Sequence, residues 1–393
     1  MDKNKQYFIG TINAFLNGNK IEYSTDIDYD EVYRLADIHD VAGIVARQIM
    51  DFEKEKSKKI NCFSKFKQQL GYTVIDFEKK KRLLNMIKAD FNANGIDFLP
   101  VKGAVIRALY SVPELRTSGD SDIYFRQRDY DAVKQIYLDK GIDFKVINPY
   151  EIVFKVNGET IELHCENDYD NDYFSDIFSI AEKIGEHEYT LKTEDQLIYV
   201  LCHIAHHFKH CGAGIRMFMD VDVLIRHIDG FDCEGFFEKC RDIGIESLAK
   251  AVFGLCKIWF NTPVEADFDF SDGNLMTVFE NTVIDGGSFG FEARQLGEYY
   301  INKGIGKDGK NNILAKIRAL SHLLFPSTDV LKNNYEYCRK NKILIPFAWF
   351  NRLFDGLFKR NTNSVNTVKG IMLSGASSED YKKLMQELDI NEK

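Results

Sequence analysis

The spacing of hydrophobic residues changes twice along the chain. Up to about residue 93, and again from about Thr193 to about residue 325, apolar positions recur with the period of a helix. Near the end of the first stretch, Phe77, Ile87 and Phe91 follow this period, and Gly95 comes where a left-handed glycine ends many helices. The pattern predicts helical regions on both sides of a middle section of different character.

The middle section alternates short apolar runs with turn residues. "IDFLP" predicts a strand, which leads through Lys102-Gly103 into an apolar stretch, Ala104 to Tyr110, where a helix can begin. "DSDIYF" predicts a second strand, and a helix from about Asp129 to Lys140 should be closed by Gly141. "GIDFKVI" predicts a third strand.

A β-hairpin is the clearest local signal in the chain. In "YEIVFKVNGETIELHCE", Asn157-Gly158 divides two alternating runs, which is typical of a two-residue hairpin turn. Pairing Val156 with Glu159 fixes the register. One face is then apolar: Ile152, Phe154, Ile161 and Leu163. The other face is polar: Lys155, Thr160, Glu162 and His164.

These elements predict an α+β fold, with a small mixed β-sheet flanked by helices. We divide the chain into N-terminal helices (1–75), the core that holds the sheet (76–192), a helical accessory domain (193–360) and a C-terminal tail (361–393), which we expect to be loosely held. The amphipathic stretch "PFAWFNRLFDGLFKR" should pack against the helical domain, although its pattern also suits a membrane surface or a partner groove.

Composition narrows the classes of function. A net charge of −9 and a pI near 5.6 argue against extended DNA binding, because such affinity depends on Lys and Arg neutralising phosphates. The eight cysteines contain no C-x-x-C pair, which favours reduced thiols. We find neither the apolar core of a signal peptide nor a run long enough for a transmembrane segment. We therefore expect a cytoplasmic protein.

Two aspartates at the start of the second strand are candidate metal ligands. Side chains alternate faces along a strand, so Asp120 and Asp122 project the same way and can bind one or two divalent ions together. The alternative is a solvated loop. The chain contains a contrasting pair, Asp220 and Asp222, in a segment with helical spacing, where the side chains diverge by about 200°. We expect Asp220 to pair with Arg216 on the same helix.

A third acidic residue usually completes such a metal site. Glu162, on the polar face of the hairpin, is the best candidate, and His164 shares that face. A histidine cluster in "HIAHHFKH" comprises His203, His206, His207 and His210. The cluster lacks the glutamate of H-E-x-x-H, so we interpret these histidines as structural or substrate-contacting, with one of them lining the cleft that faces the strand site.

Taken together, these motifs make residues 75–227 resemble the uncharacterised nucleotidyltransferases of the DNA polymerase β superfamily. The resemblance rests on "FLPVKGAVIRALYSVPELRTSGDSDIYF", followed by "ELH" in the later strand. Members of the superfamily usually carry Gly-Ser after the first strand, where this chain has Lys102-Gly103-Ala104. Glycine still allows a close backbone approach to phosphate, and the lysine adds a positive charge.

The resemblance implies transfer of a nucleoside monophosphate from a nucleoside triphosphate to an acceptor, with release of pyrophosphate. Asp120, Asp122 and Glu162 would hold Mg²⁺ or Mn²⁺, and Lys102 with Gly103 would contact the phosphates. Arg116 would either contact a phosphate or brace its loop. The acceptor stays open: a small molecule, a sugar or lipid-linked intermediate, a protein side chain or an RNA end. Two alternatives are a catalytically degenerate protein that binds a nucleotide or a partner without turnover, and a metal-dependent phosphohydrolase.

Overall fold

A computed structural model of the protein describes residues 1–166, 172–210, 212–265, 268, 270, 272–287, 347–349 and 378–390. The N-terminal part is helical, as its periodicity predicts. Its helices are α1 (Lys3–Leu16), α2 (Tyr29–Ile38), α3 (Ala42–Ile49), α4 (Lys54–Ser57) and α5 (Phe63–Ala93). Helix α5 ends where predicted, with Gly95 at a φ of 67°. The predicted domain boundary at 75/76 lies inside this helix.

The middle section forms one five-stranded sheet with short helices between its strands. The elements are β1 (Phe98–Pro100), α6 (Gly103–Ile106), β2 (Asp120–Phe125), α7 (Tyr130–Asp139), β3 (Phe144–Asn148), β4 (Glu151–Val156) and β5 (Glu159–His164). The strand order is β1-β2-β5-β4-β3. Strands β2 and β5 are parallel and the other neighbours are antiparallel, so the sheet is mixed. The predicted α+β fold is confirmed.

The hairpin forms in the predicted register. Val156 pairs with Glu159 and Phe154 with Ile161. Asn157 and Gly158 both have positive φ, at 53° and 89°, as a two-residue turn of the favoured mirror-image type requires. A two-stranded ribbon follows, made of β6 (Glu182–Lys183) and β7 (Tyr189–Thr190).

The apolar face of the sheet packs against α5 and α7 in a core of its own. Its members are Leu83, Ile87, Phe91, Ile96, Phe98, Ile123, Phe125, Val133, Tyr137, Ile152, Phe154, Ile161 and Leu163. Because β2 contributes Ile123 and Phe125 to this core, the alternating residues Asp120, Asp122 and Tyr124 lie on the opposite face.

The second half of the described chain is helical. Its helices are α8 (Thr193–His210), α9 (Ile215–Arg226), α10 (Cys233–Asp242), α11 (Glu246–Phe260), α12 (Asn274–Gly286) and α13 (Ser378–Glu387). Within the described ranges, no helix is both long and apolar enough to cross a membrane. Most of "PFAWFNRLFDGLFKR" lies outside the described residues, so its predicted packing stays a prediction.

The expectation of a loosely held C-terminal tail is wrong for residues 378–390. Helix α13 packs on α12, and Leu384, Leu388 and Ile390 are buried in the helical core. The Tyr381 hydroxyl donates to the Phe208 carbonyl at 3.2 Å, and Ser247 donates to Asp389 at 2.6 Å. The tail as a whole has a polar composition, which hides the apolar residues on one face of this short helix. These residues are the ones that pack into the core.

Candidate active site

Parallel pairing of β2 with β5 brings the predicted acidic residues together. Asp122 lies directly beside Glu162 in the register, and Tyr124 lies beside His164. The two acids are 40 residues apart in sequence (162 − 122), but one strand spacing, about 4.8 Å, separates their backbones. Glu162 therefore reaches the position that the polar face of the hairpin predicts for it.

Asp122, Glu162 and His164 form a group that could hold a metal ion. One ligand atom from each side chain lies within 4.8 Å of the others. His164 Nε2 is 3.4 Å from Asp122 Oδ1 and 3.8 Å from Glu162 Oε2. Asp120 lies two residues earlier on β2, opposite Thr160, and is not part of this set. The carboxylate and imidazole donors suit a divalent cation.

Burial and the neighbouring carboxylates raise the pKa values of Glu162 and Asp120. Burial raises the pKa of Glu162 to about 7, and the charges of Asp122 and Asp120 add to the shift. Burial also raises the pKa of Asp120, helped by Asp122. Since all these groups would be more easily ionised beside a cation, the cluster has the electrostatics of a cation site.

Lys102 supplies the positive charge that keeps Asp122 ionised. Its Nζ lies 2.8 Å from Asp122 Oδ1. Burial alone would raise the pKa of Asp122, but the charge of Lys102 and the hydrogen bond with His164 outweigh it, and the pKa falls well below its usual value. The same pairing raises the pKa of Lys102 against the effect of burial.

The backbone of Lys102 is strained. Its φ and ψ of 51° and −129° belong to a region that glycine occupies readily and residues with a Cβ rarely enter. The turn is fixed on both sides, because Val101 donates to the Asp122 carbonyl at 3.1 Å and Ile106 donates to the Lys102 carbonyl at 2.8 Å. Such conformations cost about 1–3 kcal/mol and concentrate at functional sites. Here the strained turn accompanies a lysine directed onto the buried aspartate.

Gly103 is required by its neighbours. A Cβ built on this residue would overlap Arg116 Nη1 and would meet Ser118 Cβ at 3.2 Å. Arg107 Nε also donates to the Gly103 carbonyl at 2.6 Å, and its Nη2 donates to Ser118 Oγ at 2.7 Å. The glycine therefore makes room for the arginines that hold the loop before β2. Helix α6, which starts here, is only four residues long.

The structure places Arg116 in a buried ion pair with Asp220 of α9. Arg116 Nε donates to Asp220 Oδ1 at 3.1 Å, its Nη2 bonds Oδ2, and Nη1 donates to the Thr117 carbonyl at 2.9 Å. Tyr110 donates to the same carboxylate at 2.7 Å. These contacts support the loop-bracing interpretation of Arg116. A phosphate contact stays a prediction.

The predicted pairing of Asp220 with Arg216 is wrong. Arg216 instead pairs with Asp40, at 2.5 Å. Its charge offsets part of the rise in the pKa of Asp120 that burial and Asp122 cause. A helix-face pair is worth only a few tenths of a kcal/mol, so partners from other elements replace it. Asp222 lies on the same helix, as expected, and binds Arg226 at 2.9 Å.

Helix α8 carries two of its histidines, His203 and His207, toward Lys102. The Tyr199 hydroxyl lies 3.0 Å from the Tyr124 hydroxyl, which joins α8 to the acidic face of β2. His203 and His207 follow at one and two helical turns, with ring centroids 4.4 Å apart. Burial lowers the pKa of both, and the charge of Lys102 is the next cause. This face of α8 therefore continues toward Lys102, and the lining of a cleft by one of these histidines stays a prediction.

Two features escaped the sequence argument. His164 was recognisable on the polar face of the hairpin, but nothing local shows that its Nε2 approaches both acids. Arg216 was assigned to the wrong partner, because its proximity to Asp40 and Asp120 depends on how α9 packs against the loops before β2. Both are tertiary effects.

Comparison with known proteins identifies the family of the chain. The profile of a family described as uncharacterised nucleotidyltransferases matches residues 25–261, more than half of the chain. The chain belongs to this nucleotidyltransferase family. The match includes the whole sheet, Lys102, the acidic residues and helices α8 and α9. A search of the curated proteins and a search of the solved structures returned no match.

Proposed function

We propose that this nucleotidyltransferase moves a nucleoside monophosphate from a nucleoside triphosphate to an acceptor hydroxyl and releases pyrophosphate, with Mg²⁺ or Mn²⁺ as cofactor. The observation that carries the proposal is the parallel register of β2 and β5, which sets Glu162 beside Asp122 on the polar face of the sheet. Asp120, Asp122 and Glu162 would hold the metal. A bound divalent ion would neutralise triphosphate charge and stabilise the entering and leaving oxygens.

The residues of the site have separable tasks in this reaction. Asp122 is almost fully buried and fixed by Lys102, so it serves as an anchor. Glu162 keeps 28% of its side chain exposed, so an acceptor hydroxyl can reach its carboxylate, which we assign to take the acceptor's proton. Lys102 and the Gly103 turn would meet the phosphates. Lys102 must then exchange Asp122 for phosphate oxygens.

A cavity of about 580 Å³ at the end of β2 is our candidate for the acceptor pocket. Tyr124 lines it and also packs against His164, with ring centroids 5.4 Å apart. Its wall combines aromatic rings with arginines and acids, including Phe178, Arg128 and Glu166. Small-molecule sites commonly have this volume and mixture. Phe178→Ala should therefore raise the KM for the acceptor more than the KM for the nucleotide.

The test is nucleotide transfer from triphosphates labelled at the α-phosphate, in an extract of the cells that produce the protein, with either metal. A labelled product should form with the unchanged protein and vanish with Asp120→Asn and Asp122→Asn, and its size would identify the acceptor class. Asp139→Asn is the control, since Asp139 is exposed at the end of α7. Transfer that survives both site variants would show that the site is wrongly assigned.

One observation favours the alternative of nucleotide binding without turnover. The Lys102 ammonium already contacts the buried aspartate, so a nucleotide could be bound in the cleft while the site stays inactive. Pyrophosphate release with any acceptor would rule this out. Nucleotide breakdown without an acceptor would point to the phosphohydrolase.

A further inference from the structure

The acidic site differs from an all-oxygen metal site in its histidine. His164 is 7% exposed, and its Nε2 lies 3.4 Å from Asp122 Oδ1 and 3.8 Å from Glu162 Oε2. The ring packs against Tyr124, with ring centroids 5.4 Å apart and an angle of 33° between the ring planes. The imidazole nitrogen is therefore directed at the two carboxylates, in the same cluster of potential ligand atoms.

The backbone explains why the imidazole cannot easily turn away. His164 is the last residue of β5, beside Tyr124 of β2 and opposite Glu151 of β4. Side chains stand roughly perpendicular to a sheet, so the pairing directs His164 to the same face as Glu162, two residues earlier. A nitrogen donor is thus a fixed part of the polar face.

A nitrogen donor changes which metal the site favours. Mg²⁺ prefers oxygen ligands and gives up water reluctantly, whereas imidazole suits first-row transition metals. Mn²⁺ accepts carboxylate oxygens as Mg²⁺ does. As a softer first-row transition-metal ion, it also accepts a nitrogen ligand more readily than Mg²⁺, which keeps its waters.

We infer that His164 is a ligand, together with Asp122 and Glu162, of a first-row transition-metal ion, and that the site selects Mn²⁺ over Mg²⁺. This inference rests on the proposed function for the location of the metal, but it concerns the identity of the ion. It adds a nitrogen ligand to Asp122 and Glu162, two of the three acids assigned above. Asp120 would remain available for a second ion or for the phosphates.

The test measures metal binding directly, without nucleotide or turnover. Mn²⁺ is titrated into the metal-free full-length protein at a fixed pH above the ordinary pKa of histidine, and free Mn²⁺ is followed by electron paramagnetic resonance. Mg²⁺ is measured by calorimetry and by competition. Pulsed resonance then reports whether a nitrogen nucleus is coupled to the bound manganese.

His164→Gln is the informative variant, because glutamine replaces the nitrogen with an oxygen donor of similar reach. We expect nitrogen coupling in the unchanged protein and its loss in the variant. The ratio of Mn²⁺ to Mg²⁺ affinity should fall by at least about tenfold, the lower limit of what losing a supporting group costs a metal site. Circular dichroism confirms that the variant is folded.

His187→Gln is the matched control. His187 also contacts an aspartate through one ring nitrogen, Nδ1 to Asp97 Oδ1 at 3.2 Å, but lies outside the acidic site. The nitrogen coupling and the metal preference of the His187→Gln protein should equal those of the unchanged protein. Asp122→Asn should abolish binding of both metals, which places the bound ion at this site.

Either part of the result can overturn the inference. Manganese bound in an Asp122-dependent way without nitrogen coupling, or an unchanged metal preference in His164→Gln, would show that His164 is not a ligand. Nucleotide transfer with these results would leave the proposed function intact. Conversely, nitrogen coupling in a protein that transfers no nucleotide would support the metal site and refute the proposed reaction.

Discussion

Replacing Arg116 by methionine should lower the free energy of unfolding by about 3–5 kcal/mol, the usual cost of breaking a buried ion pair. Methionine keeps most of the volume and removes the charge. The expected loss is large because the side chains of Arg116 and Asp220 are only 6% and 5% exposed. After the change, the Asp220 carboxylate would retain only the Tyr110 hydroxyl of its present partners.

Chemical denaturation followed by circular dichroism measures this loss. Asp220→Asn should also be costly, because it leaves the guanidinium buried without its counter-charge, and the double variant should lose less than the sum of the two. The coupling energy should approach about 3 kcal/mol, the upper end for residues in contact. Arg47→Met is the control, because Arg47 pairs with Asp51 at the surface and should cost below about 1 kcal/mol.

The reasoning fails if Arg116→Met costs no more than the surface control. If that variant also raised the KM for the nucleoside triphosphate, the phosphate-contacting interpretation of Arg116 would be the correct one. A large loss of stability with additive single variants would instead mean that the arginine acts through packing, without a direct electrostatic contribution from Asp220.

Three further predictions concern the glycine, a buried histidine and the lysine. Gly103→Ala should cost about 1–3 kcal/mol, because the new methyl group displaces Arg116 from its site, and the thermal midpoint should fall. Burial lowers the pKa of His39 from 6.5 to about 4, so the unfolded chain gains a proton first as the pH falls. Stability from this group is complete above pH 6.5, and about 3 kcal/mol is lost by about pH 4. Lys102→Gln should raise Mn²⁺ affinity without nucleotide, since the ion no longer competes with an ammonium for Asp122, and should weaken triphosphate binding.

Each of these has a control or a contrary result. Gly119→Ala should be tolerated, because nothing lies within 4 Å of the added carbon. For the histidine, the slope of unfolding free energy against pH gives the number of protons taken up on unfolding, and this number should be about one smaller in His39→Gln. An unchanged slope would contradict the assignment. Unaltered or weaker Mn²⁺ binding in Lys102→Gln would show that the ammonium helps to form the site.

His39 has this large effect because both of its ring nitrogens are engaged. Nε2 lies 2.8 Å from the Ile284 carbonyl, and Nδ1 accepts from the Ile215 amide at 3.2 Å. The tautomer with the proton on Nε2 satisfies both contacts. Protonating Nδ1 would break the second one at the first turn of α9, and the charges of Arg216 and Arg34 add to the cost.

The sequence predicted the parts of the fold that depend on local chemistry. Asn157-Gly158 determined the hairpin turn, and alternation then determined which face holds Glu162. It also predicted that Asp120 and Asp122 share a face, while Asp220 and Asp222 do not, because the periods of strand and helix differ. The nucleotidyltransferase family followed from the order of these motifs and is confirmed by the family profile.

Long-range packing was beyond the same reasoning. The partner of Asp220 lies 104 residues away, and the helix that holds Tyr381 packs against a residue 173 positions earlier. Which residues pair with one another depends on which charges become buried in the folded protein. The spacing of residues along the sequence does not contain this information. The positive φ of Lys102 was similarly hidden, because lysine has no preference for the conformation that the surrounding hydrogen bonds impose.

Helix α5 has a consequence for how the protein loses its structure. Its 31 residues extend about 46 Å, with Phe66 in the helical core and Leu83, Ile87 and Phe91 in the core under the sheet. If either core unfolded, α5 would lose part of the packing that stabilises it. We therefore expect amide hydrogens in the N-terminal helices and in the sheet to exchange through one shared opening event, with the acidic site dismantled in the same step.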